Sequence, residues 1–197
     1  EACEDNIRAI LKVSGGHAFI LFTSFYALDH AYRNLERELR TQGITPLCQG
    51  KATRSQLLEE FRRDARSVLF ATDSFWEGVD VAGEALQCVI VTRLPFRVPT
   101  EPVLEARAQA IEQAGGNAFM QYSVPQAVIK LRQGFGRLIR RRTDWGAVVI
   151  LDNRIITKHY GRTFMVSLPN LPVVRGTCDE IWDELEHFYN AKRGAVR

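Results

Sequence analysis

Nearly continuous apolar runs alternate with stretches of helical spacing along this chain. Residues 17–23 (HAFILFT), 67–72 and 86–92 are runs of the kind strands covered on both faces show. A short helix is predicted over 5–13, stopped by Gly15-Gly16. Ser24 can cap the next helix, whose apolar positions Phe25, Leu28, Ala31, Tyr32, Leu35 and Leu39 keep helical spacing up to a stop at Gly43. A strand over 44–48 and a loop over 49–52 follow. The capping box Thr53-x-x-Gln56 then opens a helix with core positions Leu57, Leu58 and Phe61. A polar loop is predicted over 73–83, between the third run and the fourth.

Pro95 and Pro99 exclude regular structure over 94–99. Pro102 suits the first turn of a helix that ends at Gly115-Gly116, and Ser123-x-x-Gln126 reads as the start of another. Residues 146–152 (GAVVILD) read as a fifth buried strand and 164–168 as a sixth. Thr177-x-x-Glu180 caps a terminal helix with Ile181, Leu185 and Phe188 on one face, flanked by Trp182 and Tyr189. Strands alternating with helices in this way predict an α/β fold with a mostly parallel sheet. Residues 1–197 read as one domain, with an N-terminal helix over 1–14 and a C-terminal helical extension over 171–197.

Composition changes this picture little. The chain has 197 residues and a net charge of +3, so a nucleic-acid partner must be argued from where the charges lie. No apolar run approaches the roughly 18 residues of a membrane span, and no membrane partner is expected. The acidic start without Met is read as the cut end of a longer chain, not as a signal peptide. Cys3, Cys48, Cys88 and Cys178 show no close pair of the kind zinc sites use, so reduced thiols and no metal are expected.

The charges concentrate in 129–142 (IKLRQGFGRLIRRR), which carries Lys130, Arg132, Arg137, Arg140, Arg141 and Arg142 and no acid. On a helical wheel with Gln133 at zero, Arg137 falls at about 40°, Arg140 at about −20° and Lys130 at about 60°. Val128, Leu131, Phe135, Leu138 and Ile139 fall on the opposite side, which is a core face. Gly134 and Gly136 each weaken such a helix by about 1 kcal/mol, the mark of something that must approach the backbone closely. Planar guanidinium forks converging with a Gln suit a transferring phosphoryl group. A solvated basic face is the plainer alternative. The segment 72–80 (TDSFWEGVD) follows a buried strand, where ligands of open α/β sheets gather; Thr23-Ser24 occupies the same position after the first strand. No G-x-x-x-x-G-K-[ST] occurs, so the chain lacks its own phosphate loop.

These segments together resemble the second RecA-like domain of DinG-family helicases, the XPD-like branch of superfamily 2. Residues 19–24 (FILFTS) resemble motif IV, 69–83 (LFATDSFWEGVDVAG) motifs V and Va, and 133–140 (QGFGRLIR) motif VI. RLPFRVPTEP (93–102), Pro125-Gln126-Ala127, VILDNR (149–154), Tyr160-Gly161 and Ser167-Leu168-Pro169 are further family words. The resemblance implies a three-layer RecA-like domain that lacks its own P-loop. It also implies an ATP-dependent helicase moving 5′ to 3′ on single-stranded DNA. ATP and Mg2+ would sit between this domain and a first RecA-like domain, to which the resemblance assigns any iron–sulfur cluster. Arg137 and Arg140 become arginine fingers, with Gln133 nearby. Gly78 and Asp80 approach the ribose, and Glu77 links the two sites. Thr23, Ser24, Thr72 and Ser74 contact DNA phosphates, and Lys130 is a further nucleic-acid contact. The isolated domain is expected to be inactive and the whole protein bacterial, cytoplasmic and nucleoid-associated. Two rivals remain: a single-stranded DNA binding module without motor activity, and the helicase-like part of a nuclease-fused relative.

Overall fold

Five strands lie side by side in the order β2-β3-β1-β4-β5, all parallel, in the computed structural model. The structure describes residues 2–76, 85–97, 102–138 and 144–195. The strands are β1 (Ala18–Phe22), β2 (Thr45–Cys48), β3 (Ser67–Thr72), β4 (Cys88–Val91) and β5 (Ala147–Ile150). Side chains alternate across the sheet. Phe19 and Leu21 of β1 enter one apolar layer, while Ala18, Ile20 and Phe22 enter the other. β1 and β3 are buried throughout because each has a strand on either side and helices on both faces.

One outer layer holds α1 (Ala2–Ser14), α2 (Phe25–Thr41) and α9 (Cys178–Ala195), which place Ile7, Ile10, Leu11, Leu35 and Tyr189 in its core. The other holds α3 (Arg54–Arg63), α6 (Val124–Leu138), α7 (Arg154–Thr157) and α8 (Gly161–Ser167). Short α4 (Asp73–Trp76) follows β3 directly, and α5 (Pro102–Gln113) buries no residue. The three-layer α/β reading thus agrees with the structure. The C-terminal α9 packs alongside α1, and Arg193 donates to the Val13 and Ser14 carbonyls that α1 leaves open at its end.

Local chemistry places most boundaries where the sequence puts them. Ser24 Oγ accepts from the Ala27 N–H, and Thr53 with Gln56 forms the full capping box. Thr177 and Glu180 exchange the corresponding bonds at the start of α9. Pro46 is tolerated inside β2 because the neighbouring Thr45 and Gln49 N–H groups face β3, leaving the proline nitrogen toward the free edge.

Five expectations are corrected. The sixth strand, 164–168, is helix α8: Tyr160 and Phe164, four residues apart, meet Phe96 on one helical face. Ser123 is not a cap. It ends a π-turn (Phe119–Ser123) that continues into α6, and Asn117 caps that stretch through the Met120 N–H. Pro125 lacks the N–H that would keep the α register, and the Val124 N–H bonds Phe119 O instead. The loop after β3 begins as the helical turn α4, since Phe75 turns back into the core. β5 is an edge strand in which Val149 alone is buried. Phe25 is no core residue: it opens α2 beyond the sheet edge and is 56% exposed.

Candidate nucleic-acid interface

In a parallel sheet every strand points the same way, so all the loops that follow strands share one edge. β1 leads into α2 on one face, whereas its neighbour β4 leads toward α6 on the other. The carboxyl ends of β1 and β4 therefore flank a switch point, where open α/β sheets bind ligands.

The register pairs Phe22 with Thr72, so Thr23-Ser24 and Asp73-Ser74 leave the sheet on adjacent strands. This brings together Thr23, Ser24, Thr72 and Ser74. Thr23 and Ser24 are exposed, and the Ser24 hydroxyl oxygen is held by the α2 cap. Thr72 is 4% exposed. Its N–H and its hydroxyl both donate to Gln49 Oε1, at 2.7 and 3.1 Å, and Ser74 Oγ lies 2.9 Å from Thr72 Oγ1. Because the Thr72 proton is committed to Gln49, the Ser74 hydroxyl is the donor of that last bond. Gln49, at the end of β2, escaped the sequence reading because it lies 23 residues from Thr72.

Gln133 and Lys130 lie elsewhere. α6 crosses the sheet so that its last residue, Leu138, packs against Gly146 beside Gln87, just before β5 and β4 begin. The helix thus descends from the carboxyl edge toward the amino edge. Val128, Leu131 and Leu138 are buried and Gln133 is exposed, as the wheel requires, while Phe135 of the core face and Lys130 of the outer face are both half-buried; Arg132 is exposed. Among the described residues, a Cβ on exposed Gly136 would meet nothing within 4 Å. Arg137 belongs to the last turn of α6, but its side chain lies outside the described residues, as do Arg140, Glu77, Gly78 and Asp80.

A second polar feature secures the irregular 94–97 loop at this edge. Buried Asp152, just beyond β5, accepts from the Leu94 N–H and from the Arg154 N–H and guanidinium. The Arg154 guanidinium also lies 5.5 Å from the Phe96 ring centroid. Burial pushes the Asp152 carboxyl up, but the Arg154 and Leu94 bonds outweigh it and hold it below the usual carboxylate range. A depressed native pKa stabilises the fold above the unfolded pKa of about 3.9 and is lost as pH falls through the native value. Asp152→Ala is therefore expected to cost about 2 kcal/mol at neutral pH, discounted for an Arg154 that is partly exposed. Urea denaturation at pH 7 and below pH 3 checks this, since the difference must shrink in acid.

The cysteines do not form a cluster. Cys48 and Cys88 are buried on strands that are not neighbours, and Cys3 and Cys178 are exposed. Burial pushes the Cys48 thiol up to about 11 and that of Cys88 to about 12, which keeps both protonated.

The structure is thus a parallel three-layer α/β domain with a hydroxyl-rich carboxyl edge. Comparison with known proteins makes this specific: residues 7–171 match the Helicase C-terminal domain family, and the chain belongs to it. It is 45% identical over 162 residues to the ATP-dependent DNA helicase YoaA of Haemophilus influenzae, covering 82% of this chain and 25% of that protein. It is 42% identical over 163 residues to the ATP-dependent helicase DinG of Mycobacterium tuberculosis, covering 83% and 24%. To the 3′-5′ exonuclease DinG of Bacillus subtilis it is 39% identical over 177 residues, covering 89% and 19%. The chain thus spans about a quarter or less of these relatives. A solved XPD helicase shares the fold, with a TM-score of 0.65 at 13% identity over 87% of this chain and 31% of that one.

Proposed function

We propose that this chain is the C-terminal motor domain of an ATP-dependent DNA helicase that moves 5′ to 3′ on single-stranded DNA. In this reading residues 1–197 form one RecA-like unit that docks on a first RecA-like domain and shares ATP and Mg2+ with it. Arg137 and Arg140 stabilise charge on the transferring phosphoryl group, with Gln133 beside them. Gly78 and Asp80 approach the ribose, and Glu77 couples the nucleotide to the DNA edge. Thr23, Ser24, Thr72 and Ser74 hold DNA phosphates, with Lys130 adding positive charge. The protein works in the bacterial cytoplasm, on DNA.

The observation that carries the proposal is the outer face of α6. The helix is free of acids and exposes Arg132 and Gln133, and among the described residues nothing lies within 4 Å of a Cβ on Gly136, in a chain with no phosphate loop. Such a face is finished by something outside the chain. The four cysteines are too dispersed to hold an iron–sulfur cluster, so one would belong to the first domain.

The test is unwinding of a tailed duplex by the full-length protein with ATP. Unwinding is expected only with a 5′ single-stranded tail; a requirement for a 3′ tail overturns the polarity. The isolated chain is expected to show no steady-state ATP hydrolysis, because it supplies fingers without a phosphate loop. A second reading takes support from the relative named an exonuclease: a nuclease-fused protein would degrade the labelled strand without ATP.

A further inference from the structure

The Gln49 carboxamide is held in one orientation. Its Oε1 accepts two bonds from Thr72, so its plane is fixed and the Nε2 group is turned away from Thr72. Among the described residues, that NH2 has no acceptor, and neither has the backbone N–H of Gly50. Gly50 is exposed at φ 94°, and among the described residues a Cβ there would meet nothing within 4 Å, so the backbone is open to approach. Both groups follow β2 directly, at the same edge as Thr72 and Ser74. Two cations stand nearby, one of them, Lys51, 4.0 Å from the Glu36 carboxylate. Lys51 follows in the turn, and the Arg54 guanidinium lies 5.3 Å from the Phe75 ring centroid beyond Ser74.

An array of N–H donors without acceptors, beside cations and at a solvent-facing edge, matches a ligand that only accepts hydrogen bonds. We propose that Gln49 and Gly50 grip a backbone phosphate of single-stranded DNA, with Thr72 fixing the carboxamide so that Nε2 faces the phosphate oxygen. This rests on the single-stranded DNA reading above and extends its track by one strand, from β1 and β3 to β2. Besides its place on the track above, Thr72 then acts through Gln49, fixing the donor that meets the phosphate.

Gln49→Glu separates this role from a structural one. The carboxylate still accepts both Thr72 bonds but has no donors. Gln49→Met loses both functions, and Ala52→Glu places the same charge nearby on an exposed residue as a control. Binding of fluorescent oligo(dT) by the full-length protein is the readout, with thermal denaturation alongside. Q49E is expected to weaken binding about tenfold with an unchanged melting temperature, the scale of one charge-assisted hydrogen bond. A52E should weaken it by about twofold or less, a screened charge effect. Equal affinities for Q49E and A52E would overturn the inference and leave the helicase reading standing. Failure of the unaltered protein to bind oligo(dT) would overturn that reading as well.

Discussion

Replacing Arg137 or Arg140 by alanine in the full-length protein is expected to lower DNA-stimulated ATP turnover by about 10³-fold or more, the scale of a lost arginine finger. The effect should fall on turnover, with nucleotide affinity changed far less, because the guanidinium meets charge that develops only in the transition state. Arg137→Lys is expected to be nearly as damaging as Arg137→Ala, since an ammonium cannot reproduce the planar fork. Steady-state ATPase assays with and without single-stranded DNA decide the matter. Near-normal turnover in both alanine variants would remove the finger assignment and favour a helix that serves DNA by charge alone. In that case salt would weaken DNA binding steeply while turnover stayed intact.

The largest effect on stability is expected far from these arginines, at Gly161. A Cβ there would press on the Ile155 carbonyl, 2.6 Å from its carbon, and lie 3.0 Å from Arg154 O. Both neighbours are backbone of α7, so neither can swing aside as a side chain would. Gly161→Ala is expected to destabilise the fold by about 3 kcal/mol, at the upper end for forced overpacking. Because α8 packs on both α7 and α6, the damage should reach the helix that carries Gln133. Urea denaturation measures it, with Gly136→Ala as the contrast. At that exposed position the added methyl meets nothing among the described residues and helix propensity improves, so the isolated chain should not be destabilised. A mild G161A would mean that α7 and α8 can separate cheaply.

Part of the molecule is legible without coordinates. The buried runs around β1, β3 and β4 are unmistakable because a doubly covered strand is apolar at nearly every position; the buried Ser67 and Thr72 sit at the two ends of β3. The caps at Ser24, Thr53 and Thr177 are legible because they are bonds between residues three apart. The exposed face of α6 follows from helical spacing alone.

The misreadings share a cause: each concerns a segment whose state is set by residues outside its own short spacing pattern. Residues 164–168 look like a strand, yet Phe164 is drawn into helix α8 by Phe96, far earlier in the chain. Ser123 has the right residue three positions on for a cap, but the stretch from Asn117 had already begun the helix. Phe25 keeps the core spacing of α2 but sits at the end that overhangs the sheet.

Legible in the residues alone are the α/β class, the positions of most strands and helices, the basic segment over 129–142 and the words that tie the chain to its family. These are local properties, written in spacings of two to four residues. Only the tertiary structure decided the strand order, and with it which loops meet. The parallel register sets Phe22 beside Thr72 and carries Gln49 onto Thr72 across 23 residues. It also separated the hydroxyl-rich edge from the outer face of α6. Hydrogen bonds between strands are indifferent to distance along the chain, and no local pattern records them.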